Sequence, residues 1–167
     1  MKALLVPILV VLVVAGCNSH GENYHWSTTY RPGINTVAVP IFASVAYQRG
    51  VEFTLSKAVV TEVEAQTPYK VVPRERADTI LEGEITEVRI NTLSENTRSA
   101  VPQEQLLTIT VNFTWKDLRS GRILVARRGF EQTATFYPTL GEGRFVGTQE
   151  ASEKLALAIV HELESDW

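Results

Sequence analysis

Gln105 to Lys116 constrains the fold more than any other stretch of this chain. Leu107, Ile109, Val111, Phe113 and Trp115 share one parity, and Thr108, Thr110, Asn112, Thr114 and Lys116 share the other. Alternation of period two marks a β-strand with one face buried and one face wet. Such a strand is not stable alone; it needs sheet neighbours and something apolar packed on its buried side. Asp117 to Gly121 reads as a hairpin turn and Arg122 to Phe136 as the return strand. Upstream, Thr79 to Leu93 is strand-like but changes parity: Leu81, Gly83 and Ile85 share one, Val88 and Ile90 the other. The switch predicts a β-bulge near Thr86 or Glu87.

The flanking segments carry helical spacing. In Gly50 to Gln66 the residues Val51, Leu55, Ala58, Val59 and Val63 fall on one stripe. Pro68 ends this helix, because it disfavours the helical conformation at Thr67. A second helix is predicted from Thr148 as its cap, with Glu150 in the first turn. Its stripe is Ala151, Leu155, Ala158, Ile159 and Leu163, and Tyr137 to Gly147 before it reads as a loop. Asn35 to Phe42 is a strand apolar on both faces, with Pro40 requiring an edge position or an early end. Tyr69 to Val72 is a short strand, and Pro73 to Ala77 a charged connector. The order predicts an α+β domain: two helices packed on one face of a mainly antiparallel four- to five-stranded sheet, the other face open.

The first residues are not part of that domain. Lys2 is followed by an apolar run, Ala3 to Val14, interrupted only by Pro7. The run is short of the roughly 20 residues that span a bilayer. Val14, Ala15 and Gly16 then lead into Cys17, the only cysteine of the chain. Small residues before a cleavage point form a signal-peptidase site, and a cysteine directly after them forms a bacterial lipobox. The thiolate is the nucleophile that takes the lipid. The expected organisation is a signal peptide over 1–16, a lipidated tether over 17–33 from Cys17, and a single domain over 34–167. Asn18, where an acidic residue signals inner-membrane retention, favours delivery to the outer membrane, on its periplasmic side.

Composition narrows the function. The net charge is −3 and loss of Lys2 makes it more acidic, which argues against generic nucleic-acid binding. The histidines His20, His25 and His161 have no metal-ligand spacing, so neither a metal nor a cofactor is expected. Leu140 to Gly143 lacks the lysine and spacing of a phosphate loop. Glu82 and Glu84 share a strand face, which an exposed polar surface explains without catalysis. The reading is a non-enzyme. The local reversal of charge sits at one hairpin, where Lys116, Arg119, Arg122, Arg127 and Arg128 crowd against Asp117. Solvated cations that discourage edge pairing would look the same.

The stretches TVAVPIF (36–42), TPYKVVPRERADTILEGEI (67–85), PQEQLLTITVNFTWKDLRSGRILV (102–125) and YPTLGEG (137–143), with the closing helix, resemble LptE, the lipoprotein family of outer-membrane lipopolysaccharide assembly. The resemblance spans about Ile34 to Trp167. It implies two helices on a mainly antiparallel sheet and a non-enzymatic role: plugging and helping to assemble the LptD β-barrel, and contacting lipopolysaccharide. Barrel interiors are polar, so the resemblance makes Thr108, Thr110, Asn112 and Thr114 the barrel-facing residues. It makes Lys116, Arg119 and Arg122 the candidates for lipopolysaccharide phosphates, through charge and arginine's planar fork. TVAVPIF followed by a helix also resembles envelope lipoproteins related to the TolB N-terminal domain, which act as scaffolds or activators of a synthase or secretion channel.

Overall fold

The computed structural model describes residues 30–164. The signal peptide, Cys17, His20, His25 and most of the tether lie outside the described residues. Among the described residues, six strands and two helices follow one another in the order strand, strand, helix, strand, strand, strand, strand, helix. Strands β1 (Thr36–Ala38) and β2 (Ala43–Ser44) precede helix α1 (Val51–Gln66). Strand β3 (Lys70–Val71) leads through a 3-10 turn at Arg74–Arg76 into β4 (Thr79–Glu95). Strands β5 (Pro102–Asp117) and β6 (Ile123–Phe136) complete a meander, and α2 (Arg144–His161) closes the domain.

The sheet order is β3-β1-β4-β5-β6, with β2 beside β4 further along the same edge. The three long strands are antiparallel, as the alternation requires, and the three short ones join in parallel. The sheet is therefore mixed, and the α+β arrangement with two helices stands. The early end foreseen at Pro40 is real: β1 stops at Ala38, and the chain rejoins β4 as β2, with Ala43 opposite Glu84. Phe42 between them is buried, and its N–H donates to Ser56 Oγ on α1 at 2.8 Å.

The expected bulge is present. Register shifts between Ile85 and Glu87, leaving Thr86 as the extra residue. The shift keeps Val88 and Ile90 on the same side as Leu81 and Ile85, against the helices. A second bulge interrupts β6: Val111 pairs with Phe130 but Phe113 pairs with Arg127, so Arg128 and Gly129 together oppose Asn112. Gly129 has φ of 61°, a left-handed conformation that glycine adopts without a Cβ penalty. Its N–H donates to Asn112 Oδ1 at 2.9 Å.

Both helices lie on the face of Leu107, Ile109, Val111, Phe113 and Trp115, all buried. The stripe of α1 is buried at Val51, Leu55, Val59 and Val63, while Ala58 is half-buried. Thr67 is extended before Pro68, as expected. Helix α2 starts earlier than its sequence suggests, at Arg144 with Gly143 as its N-cap; Thr148 is buried inside the helix instead of capping it. Gly147, in the stretch read as loop, is where the Phe136 ring packs on the first turn. Tyr30 and Arg31, in the stretch read as tether, also pack on the domain. The Tyr30 ring meets Tyr69 edge-on at 5.7 Å, and the Arg31 guanidinium lies over buried Trp115.

Candidate interaction surface: the open sheet face and the β5–β6 turn

The side of the sheet away from the helices is polar because strand alternation puts it there. Thr108 is buried, and Thr110, Asn112 and Thr114 are half-buried along β5. Register brings Arg89, Glu87, Glu84 and Glu82 of β4 beside them in that order. On the other flank stand Thr133, Glu131 and Ala126 of β6, opposite Thr108, Thr110 and Thr114. The four predicted barrel-facing residues thus form one continuous ridge with carboxylates on both sides. Several groups are committed locally: the Thr86 hydroxyl donates to the Thr110 carbonyl at 3.2 Å, and Arg74 pairs with Glu82 at 2.9 Å.

At its lower end the ridge runs into a shallow depression of about 470 Å³, whose lining includes Glu82, Glu84, Asn112, Thr114, Lys116 and Ile123. Lys116 thus reaches the open face. Arg119 sits in the turn, its side chain 72% exposed, with Nη2 on Asp78 Oδ1. Arg122 is exposed just before β6. Among the described residues neither Lys116 nor Arg122 makes an ion pair, so the cluster divides into two free cations and one that is held. Arg127 faces the helix side, opposite Phe113, and pairs with Glu162 just past α2. Arg128 is exposed in the bulge.

Two carboxylates organise the turn, and sequence reasoning gave Asp78 no role. Asp78 Oδ2 accepts the N–H of Asn35 at 3.1 Å and both the N–H and the hydroxyl of Thr36 at 3.0 and 2.9 Å. These bonds, the Asn35 N–H first, hold its carboxyl below the ordinary range, with the Arg119 charge adding to them. Asp117 accepts the Ser120 hydroxyl at 2.7 Å and the Arg119 N–H at 2.8 Å, which lowers its pKa too. Asp117 thus closes the turn, and Asp78 ties the turn to β1. Only the partners of Asp117 lie close in sequence; Asp78 and Arg119 are 41 residues apart.

Among the described residues no three His, Cys, Asp or Glu side chains gather as a ligand set. His161 is exposed at the end of α2. No described helix is long and apolar enough to cross a membrane.

Curated protein sequences return no match to this chain. Solved structures of similar fold include the PelC dodecamer from Paraburkholderia phytofirmans, at 13% identity and a TM-score of 0.52, covering 81% of this chain and 93% of that one. They also include lipoprotein B from Nitrosomonas europaea, at 14% identity and a TM-score of 0.55, covering 81% of this chain and 85% of that one. At these identities the likeness is one of fold. The sequence itself matches the family model for LptE, lipopolysaccharide assembly, over residues 34–166, nearly the whole folded domain, and the chain therefore belongs to the LptE family.

Proposed function

We propose that this protein is a non-enzymatic outer-membrane lipoprotein, anchored through Cys17, that fills the lumen of an LptD-like β-barrel and assists lipopolysaccharide insertion. The observation that carries the reading is the polar three-strand face turned away from the helices, on which Thr108 is buried and Thr110, Asn112 and Thr114 are half-buried. Barrel lumens are lined by polar side chains, and a threonine and carboxylate surface meets such a wall without burying apolar groups against it. Lipopolysaccharide would be met at the β5–β6 turn, where Lys116 and Arg122 are free and Arg119 is exposed though paired. Each exposed contact of this kind contributes about 1 kcal/mol or less, so binding depends on several together.

Mild detergent extraction followed by affinity purification tests the partner. The expected co-purifying protein is an outer-membrane β-barrel of the LptD type. Recovery of a peptidoglycan synthase or a secretion channel in its place would overturn the reading in favour of the scaffold alternative.

A further inference from the structure

We propose that the segment from Ser44 to Glu52 forms a binding site for an uncharged sugar of an oligosaccharide. It curls around a hollow of about 730 Å³ at the start of α1, lined by Ser44, Ala46, Tyr47, Gln48, Arg49 and Glu52. Clefts that take small ligands measure about 300–1,000 Å³. The segment is fixed at its ends and free in its middle. Ser44 pairs with Ile85 in the sheet, and the Val45 N–H donates to the Ile85 carbonyl at 3.0 Å. At the other end the Gly50 N–H donates to Glu52 Oε2 at 2.9 Å, and the Gly50 carbonyl accepts the Thr54 N–H at 3.3 Å. Gly50 has φ of 93°, a left-handed conformation that turns the chain into α1. Among the described residues, Ala46 to Arg49 make no hydrogen bond or ion pair.

Two side-chain oxygens of this segment are uncommitted. Ser44 Oγ and Gln48 Oε1 are screened from water and have no hydrogen-bond partner among the described residues. Folded proteins pair nearly all such groups, so two exceptions on one hollow call for a partner. A change of rotamer at Ser44, or a half-turn of the Gln48 amide, turns each oxygen toward the hollow that both side chains line. The chemistry of the lining then favours a sugar. Gln48 Oε1 and Glu52 Oε1 accept, the Arg49 guanidinium and the Gln48 amide nitrogen donate, and Ser44 does both. Neighbouring hydroxyls, each a donor and an acceptor, match that mixture. Arg49 and Glu52 balance in charge, so neither an anion nor a cation is favoured. Tyr47 is 101% exposed. The negative face of its ring suits the C–H groups of a sugar ring. The hollow is distinct from the β5–β6 turn: Ile85, the partner of Ser44, is five residues along β4 from Ile80, the partner of Lys116, or about 16–17 Å. The inference is therefore independent of the lipopolysaccharide contact proposed for the turn.

The test uses the full lipidated protein in detergent and two uncharged probes: dephosphorylated neutral core oligosaccharide from lipopolysaccharide, and an N-acetylglucosamine oligomer standing for the glycan of peptidoglycan. Calorimetry and saturation-transfer NMR are expected to show binding of at least one, and the tighter one names the source of the sugar. Tyr47→Ala and Gln48→Met should each weaken it several-fold. Neither should lower the melting temperature, because Tyr47 is exposed and Gln48→Met removes an unpaired buried acceptor. Lys116→Glu with Arg122→Glu should leave sugar affinity unchanged. Failure of both probes to bind would overturn the proposal, as would unchanged affinity in the Tyr47 and Gln48 variants. Loss of binding in the turn variant would also overturn it, by moving the sugar to the turn. So would protection of the Tyr47 ring from iodination by a barrel partner alone and by neither sugar, which would assign the hollow to a protein contact.

Discussion

Gly83 gives up its side chain to the ring of Phe42: a Cβ at Gly83 would lie 2.2 Å from Phe42 Cε1. Phe42 is 2% exposed, held between β1 and β2 against α1, so the ring has no free space to move into. Gly83→Ala is expected to destabilise the domain by about 1–3 kcal/mol through overpacking. Denaturant unfolding measures it. Phe42→Leu combined with Gly83→Ala should cost less than the two single changes added together, because they share one volume.

Asp78 makes the domain sensitive to acid. Its folded pKa is lowered by the bonds from Asn35 and Thr36 and by Arg119. A depressed carboxylate contributes stability that is present above the unfolded value of about 3.9 and lost as pH falls through the folded value. Asp78→Asn should flatten the loss of stability below about pH 4 when melting temperature is followed against pH. Asp78→Ala at neutral pH should cost about 1–3 kcal/mol, because the Thr36 N–H loses its acceptor in a part-buried position.

The two faces of β5 should respond differently to charge. Thr110 lies between Glu87 and Glu131, so Thr110→Lys places a cation among carboxylates and should leave folding within about 0.5 kcal/mol of the parent. If the open face meets a barrel wall, the same change should reduce co-purification of the barrel. Val111 is 0% exposed, and Val111→Asp buries an unpaired charge that should cost about 4 kcal/mol or more. Equal melting temperatures for the two variants would refute the face assignment. Asn112 is a poorer probe, since its side chain holds the Gly129 N–H.

At the turn, Lys116→Glu with Arg122→Glu should weaken lipopolysaccharide binding about ten-fold, or roughly 1.4 kcal/mol, at low salt. Adding Arg119→Glu should lower the melting temperature as well, because it sets a carboxylate against Asp78. Unchanged affinity in the folded double variant would leave these cations a role in solubility alone.

Anchoring is checked by metabolic labelling with a palmitate analogue. Cys17→Ser should abolish the label. Label retained by the variant would place the lipid elsewhere.

The sequence made some of this architecture readable because the physical signal was local. The parity switch from Ile85 to Val88 points to a bulge near Thr86 or Glu87, and the register shift leaves Thr86 as the extra residue. The same signal is present in β6, where buried Val125 is followed by buried Ala134 and Phe136 with Gly129 between them; the return strand predicted over Arg122 to Phe136 is there as one strand, but without its bulge in the sequence reading. The start of α2 was hidden by Gly143 and Gly147, which resemble loop residues until the Phe136 ring is in place. Strand β2 is two residues long, too short for any periodicity. The division of the basic turn could not be read at all. It depends on Asp78 reaching Arg119 across 41 residues, and only the pairing of β4 with β5 brings them together.

The bulges at Thr86 and at Arg128–Gly129 sit almost level on either side of β5. Thr86 interrupts β4 between the partners of Val111 and Thr110, and Arg128 and Gly129 interrupt β6 opposite Asn112. Both neighbours therefore spend one more residue than the central strand over the same height. A bulged strand bends and twists more strongly, so the sheet changes direction at this level and its outer surface is not a plane.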